Sequence, residues 1–117
     1  MTVKECYEQL EGDYEGTFAR MLKEERMKKF LLLFLQDESY GLLLQKMEEK
    51  EVDEAFRAAH TLKGVTINLG LSKLNRSSFE ITEALRAKNY EQALTLLPQV
   101  KVDYEETIAV IQKLQEE

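Results

Sequence analysis

The chain has 117 residues, of which 44% are hydrophobic and 32% charged, and its formal net charge is −6. A chain of this length forms one domain with a modest core, and its acidic balance argues against nucleic-acid binding, which needs a clustered positive surface. The longest apolar run, FLLLFL at 30–35, is too short for the ~20 residues that cross a bilayer, so no membrane insertion is expected.

Cys6 is the only cysteine and His60 the only histidine. A lone cysteine cannot form an internal disulfide, and the first residues do not resemble a signal peptide, so we expect a cytoplasmic protein. One cysteine and one histidine also argue against a protein-held zinc ion, and we predict no metal site in the chain itself.

In the first half of the chain, apolar residues recur at helical spacing. The acidic opening over 1–11 predicts a short helix. Apolar residues at steps of three and four from 18 to 35 predict one continuous helix that breaks near 36–39. A further stripe predicts a helix from 40 to about 50.

In the second half, the pattern predicts a helix over about 52–69, and Gly70 follows it at the position of a left-handed C-terminal cap. Ser72 is expected to cap the next helix. Asn89 followed by Gln92 resembles a capping box and predicts the start of the last helix. Pro98 lies inside that last helix and is expected to kink it or to end a first turn.

These elements predict an all-α protein with a single domain over 1–117. Four long helices with short connections favour an antiparallel four-helix bundle, with short additional helices at the N-terminus. A continuous coiled coil is disfavoured because heptads are not sustained.

A helical wheel places His60 near the middle of the exposed face of the 52–69 helix. The small and aliphatic residues of this helix fall on the opposite side, which we expect to be buried. Six residues share the exposed side, within about 60° of the histidine: Asp53, Phe56, Arg57, Lys63, Gly64 and Ile67.

The residue types that surround His60 favour phosphoryl transfer as its function. Neutral imidazole is a nucleophile near pH 7, and phosphoryl transfer mainly requires positioning and cations near the equatorial oxygens. Lys63 supplies a cation one turn away, and Gly64 leaves the adjacent surface bare for another chain to approach. Phe56 and Ile67 add exposed apolar surface of the kind that marks contact sites.

The sequence AHTLKG at 59–64, followed by NLG at 68–70, resembles the motif of histidine-containing phosphotransfer (HPt) domains of bacterial phosphorelays. The similarity extends over roughly 18–110, where Glu83 stands at a position that is often acidic in the family. It implies a phosphorelay intermediate without kinase activity, which accepts a phosphoryl group from the aspartate of one receiver domain and passes it to another.

The resemblance also implies roles for individual residues. His60 would be the phosphoacceptor, Lys63 would stabilise the phosphoryl group, and Gly64 would give the receiver access. Phe56, Ile67 and Arg57 would contact the partner. Some members hold the imidazole with a polar residue of the following helix, and Thr82 is the candidate for that role here.

The same resemblance implies response-regulator receivers and a sensor or hybrid histidine kinase as partners. It implies no cofactor of the chain's own, Mg²⁺ on the partner receiver, and a monomer with an open transfer face. Val65 departs from the family pattern, since many members have Ser or Ala at that position.

Two alternative functions stay open from the sequence. One is the dimerisation and phosphoacceptor domain of a histidine kinase, but Thr61 rather than an acid follows the histidine, and no proline occurs before Pro98. No Walker loop or kinase-type glycine loop is present, which argues against autophosphorylation. The other is a helical receiver-docking or scaffold module that does not transfer phosphate.

Overall fold

The structure is a computed structural model that describes residues 1–116, and every regular element within them is an α-helix. The predicted all-α fold is therefore confirmed. The seven helices of this part of the chain are α1 (Val3–Gln9), α2 (Tyr14–Met21), α3 (Glu24–Phe34), α4 (Ser39–Glu48), α5 (Val52–Asn68), α6 (Ser72–Arg86) and α7 (Tyr90–Gln115).

Helices α4 to α7 form the predicted four-helix bundle, in which each helix packs mainly against its neighbours in the chain. Connectors of only three residues join them, so successive helices run antiparallel. Helix α7 has 26 residues and a rise of about 39 Å. It therefore extends along the bundle and also packs against α1 and α3.

The three bundle connectors share one conformation. In each, the middle residue has a left-handed backbone, with φ of 60° at Lys50, 69° at Gly70 and 57° at Lys88. In each, the next residue donates its N–H to a carbonyl five positions back, at 2.9 Å. This is the Schellman arrangement, which pairs the last carbonyls of one helix and turns the chain into the next.

The predicted continuous helix over 18–35 is wrong, because the chain breaks between α2 and α3. Leu22 adopts a left-handed backbone with φ of 68°, and its side chain is 68% exposed rather than part of a buried stripe. The guanidinium of Arg26 donates to the carbonyl of Met21 at 3.2 Å. The last carbonyl of α2 is therefore paired with a side chain rather than with the backbone N–H of a continuing helix. The break contains neither glycine nor proline, and the apolar pattern alone could not reveal it.

Two predictions about helix ends also need correction. Leu71, not Ser72, is the N-cap of α6, because buried Leu71 already closes the preceding turn. Of the two effects predicted for Pro98, a kink or the end of a first turn, the second is wrong, because α7 continues through Pro98. Pro98 and Leu94 are exposed, so water can hydrate the Leu94 carbonyl that loses its helical donor. Asn89 caps α7 as predicted and accepts from the N–H of Gln92 at 3.1 Å.

Candidate functional site

Helix α5 presents His60 to solvent. Its opposite side packs into the core through small and medium side chains, as the wheel predicted, while Val65 is half-buried. The fully buried members of that side are Ala55, Ala58, Ala59, Leu62 and Thr66. Because these residues fix the rotation of α5, the exposure of His60 follows from the helical period.

The imidazole of His60 has an aromatic neighbour and unpaired nitrogens. The ring of Phe56 lies 5.7 Å away between centroids, at an interplanar angle of 17°, which is an offset stack. Within residues 1–116, neither ring nitrogen of His60 has a hydrogen-bond partner. Both nitrogens are therefore available to a partner molecule.

Helix α6 adds two residues that the sequence analysis did not identify. The ammonium of Lys63 lies over the ring of Phe79 at 5.4 Å, and the guanidinium of Arg86 lies over the ring of Phe56 at 4.9 Å. Both are cation–π distances. The antiparallel register about Gly70 brings α6 alongside α5, so both cation–ring pairs lie between α5 and α6. We call Phe56, His60, Lys63, Phe79 and Arg86 the histidine face.

On the other side of His60, a groove of about 840 Å³ runs between α3 and α5. Phe30 and Leu33 line it from α3, and Thr61, Gly64 and Ile67 line it from α5. The exposed fractions are 39% for Phe30, 48% for Leu33 and 61% for Ile67, so the groove has apolar walls. His60 therefore lies on a ridge between this α3–α5 groove and the cations of the histidine face. The α3 wall was not predicted, because the spacing over 18–35 was interpreted as one continuous helix.

Gly64 lies in open space beside this ridge. A Cβ atom added to it would meet no heavy atom within 4 Å, apart from its own helix backbone. The surface at Gly64 is therefore bare, and its role in giving a receiver access to His60 stays a prediction.

The structure places the other two predicted site residues, Arg57 and Thr82, in different surroundings. Arg57 is exposed and borders a small pocket on the α4 side, together with Leu42 and Thr61. Thr82 is fully buried, and its hydroxyl donates to the carbonyl of Ser78 at 2.6 Å. The structure therefore does not bring the Thr82 hydroxyl to His60, because its position on α6 turns it into the core.

The comparison with protein families matches residues 25–115 to the Hpt domain. No curated protein matches the chain, and no solved structure matches it. No helix within residues 1–116 combines the length and the apolar character that a membrane crossing requires. Hpt domains are phosphotransfer modules, not kinases, and work with receiver domains and histidine kinases in two-component phosphorelays. The family match covers most of the chain and includes the whole histidine face, so the chain belongs to the Hpt domain family.

Proposed function

We propose that His60 accepts a phosphoryl group from the phosphoaspartate of one receiver domain and passes it to the aspartate of another. The observation that supports this best is the exposed imidazole of the only histidine in the chain. Its ring nitrogens are unpaired within the described residues, and it stands between a groove and two cations.

In the proposed step, the lone pair of Nε2 of His60 attacks phosphorus in line with the bond to the aspartate oxygen. The N–P bond forms as the P–O bond breaks, and the aspartate leaves as a carboxylate. The proton on Nδ1 stays in place. Attack by the aspartate of the second receiver reverses these changes and regenerates neutral imidazole.

Lys63 and Arg86 are the cations that we assign to the phosphoryl oxygens. Aromatic rings hold both, since Lys63 lies over Phe79 and Arg86 over Phe56. Arg86 also pairs with Glu83 at 3.1 Å, which further restricts its position. Cations fixed before the reaction stabilise charge on the equatorial oxygens without reorganisation in the transition state.

The receiver is expected to dock over the ridge and into the α3–α5 groove. Phe56 and Ile67 would give apolar contact, Arg57 would lie at the polar rim, and Gly64 would allow close approach. The groove reaches Gly64, one turn from His60, so a partner seated in it can reach the imidazole. Magnesium is expected on the receiver; residues 1–116 hold no group of three or more His, Cys, Asp or Glu side chains that could bind a metal.

We further propose that the chain acts as a monomeric single domain. Two receivers must use the same face in turn, and self-association across that face would block both. A free ridge is therefore part of the proposed mechanism.

The central test is phosphoryl transfer from a ³²P-labelled receiver to the wild-type chain and to His60→Gln. The wild type should gain an acid-labile label, and His60→Gln should gain none, because the amide is not a nucleophile for phosphorus. Glutamine at an exposed helical position should leave thermal unfolding unchanged.

Label on His60→Gln would contradict the proposal. Receiver binding by the wild type without any label would instead indicate a docking module. Labelling of the chain by ATP alone would indicate the kinase-type alternative.

A further inference from the structure

The C-terminal end of α5 is held by residues from outside the four-helix bundle. Its Schellman turn pairs the carbonyls of Thr66 and Ile67 with the N–H groups of Leu71 and Gly70, at 2.9 and 3.1 Å. The carbonyls that follow have no helical donor. The last turn of α5 also carries no basic residue to offset the negative end of its dipole.

The segment over residues 3–21, which we call the N-terminal arm, supplies the missing donors. The hydroxyl of Tyr7 donates to the carbonyl of Leu69 at 2.7 Å, and the N–H of Asp13 donates to that of Gly70 at 2.9 Å. Nη2 of Arg20 donates to the carbonyl of Asn68 at 2.8 Å and to that of Ile67 at 3.2 Å. Arg20 thus provides the cation that α5 lacks.

Arg20 is also part of the α3–α5 groove, where it forms the end beyond Ile67. Its hydrogen bonds within residues 1–116 all use Nη2, so Nε and Nη1 keep their donors for another molecule. A guanidinium fixed on one side in this way presents the remaining donors at low entropic cost. Carboxylate or carbonyl oxygens of a partner would be the matching acceptors.

We propose that Arg20 is a receiver-contacting and specificity-determining residue, and that the N-terminal arm completes the docking surface by fixing it there. The inference rests on the proposed function, because the occupant of the groove is the receiver that reacts with His60. Two observations support that occupant: the groove is continuous from Arg20 to Gly64, and the exposed donors of Arg20 suit an acidic rim. The arm lies before residues 25–115, which match the Hpt domain.

The experiment compares Arg20→Met with Arg26→Met in the full chain. Arg26 is the matched control, because its guanidinium also donates to a backbone carbonyl, that of Met21, yet does not line the groove. The probe is the receiver from the source organism that exchanges phosphoryl groups fastest with the wild type. Half-saturating receiver concentration and single-turnover rate are measured separately, and labelling by phosphoramidate reports His60 without docking.

For Arg20→Met, the half-saturating receiver concentration should rise roughly five- to tenfold, the effect expected for a lost charge-assisted contact at an interface. Its phosphoramidate labelling should match the wild type. Arg26→Met should leave both quantities unchanged, and Arg20→Lys should recover part of the loss.

An unchanged half-saturating concentration in folded Arg20→Met would overturn the inference, as would an equal rise in Arg26→Met. Self-association of the wild type in sedimentation that Arg20→Met abolishes would overturn it too, because the groove would then hold a second copy. Failure of the proposed function is distinguishable, since it would appear as an unlabelled wild type.

Discussion

Gly64 and Gly70 belong to one short motif, yet their surroundings differ completely. A Cβ on Gly64 meets open space, whereas a Cβ on Gly70 would lie 2.2 Å from Oγ1 of Thr17 and 2.8 Å from the carbonyl oxygen of Asp13. Gly64 therefore lowers the helix propensity of α5, although a side chain at this position would meet no steric contact within the chain. This open surface is what the proposed approach of a receiver to His60 requires.

Substitution of Gly64 should separate stability from transfer. Gly64→Ala should raise the free energy of unfolding by about 0.5–1 kcal/mol in urea titrations, because alanine favours the helix interior. Gly64→Met should slow transfer from the receiver at least tenfold, since the side chain fills the approach to His60, while phosphoramidate labelling stays close to wild type.

Gly41→Met is the matched control, because Gly41 also faces open space, on α4. It should leave receiver transfer unchanged. Equal slowing by both methionine variants, or by neither, would contradict the access role of Gly64.

At the scale of single residues, the sequence predicted exposure well and cross-helix contacts poorly. One helical period was enough to place His60, Gly64 and Ile67 on the exposed face, whereas Phe56 and Lys63 are half-buried, and Phe56 packs against the core. Phe79 and Arg86 were missed because their positions depend on how α6 is rotated against α5. The same rotation explains Thr82, whose place opposite His60 along the chain was not enough to direct its hydroxyl outward.

At the scale of elements, the three bundle connectors show that backbone conformation alone does not require glycine at position 70. Lys50 and Lys88 adopt nearly the same left-handed φ as Gly70. What separates Gly70 is the N-terminal arm, which packs against the turn so closely that a side chain has no room. The sequence predicted the cap at Gly70 but not this contact.

Opposite substitutions in two of these connectors should have opposite effects. Lys50→Gly should stabilise the chain by a few tenths to about 1 kcal/mol, because it removes a left-handed non-glycine residue. Gly70→Ala should destabilise it by at least about 1–2 kcal/mol, since it adds that strain and displaces the arm. Chemical denaturation of both variants measures this, and a neutral Gly70→Ala would refute the close packing.

The break between α2 and α3 marks the limit of prediction at this scale. The apolar spacing continues across Leu22 and Lys23, and no turn residue interrupts it. In the structure, Arg20 of α2 contacts the end of α5, whereas α3 packs against α7. Such a break depends on tertiary contacts, which a single-sequence pattern does not contain.

At the scale of the whole molecule, α1 contributes ionisable groups to the core. Cys6 and Tyr7 are almost fully buried, and burial raises the pKa of the Cys6 thiol to about 11 and that of Tyr7 to about 12. Their ordinary pKa values are 9.0 and 10.0. The folded chain therefore favours the neutral forms of both side chains, so its free energy of unfolding should fall at alkaline pH.

The free energy of unfolding should be independent of these two groups below about pH 8 and fall as the pH rises towards 12. The sign follows because the unfolded chain loses these protons first, at a slope of up to about 1.4 kcal/mol per pH unit for each group. Urea titrations at pH 7, 9, 10 and 11 measure the fall. Cys6→Ala with Tyr7→Phe should flatten it, and an equally steep fall in that double variant would contradict the assignment.

The hydrogen bonds of the N-terminal arm have a consequence for local opening. Chain termini usually fray independently, but release of this arm would remove donors from four consecutive carbonyls, at residues 67–70. The arm and the end of α5 should therefore open together as one cooperative unit. Force applied through a polypeptide joined ahead of Met1 would therefore act on α5, the helix that carries His60, rather than on an independently fraying terminus.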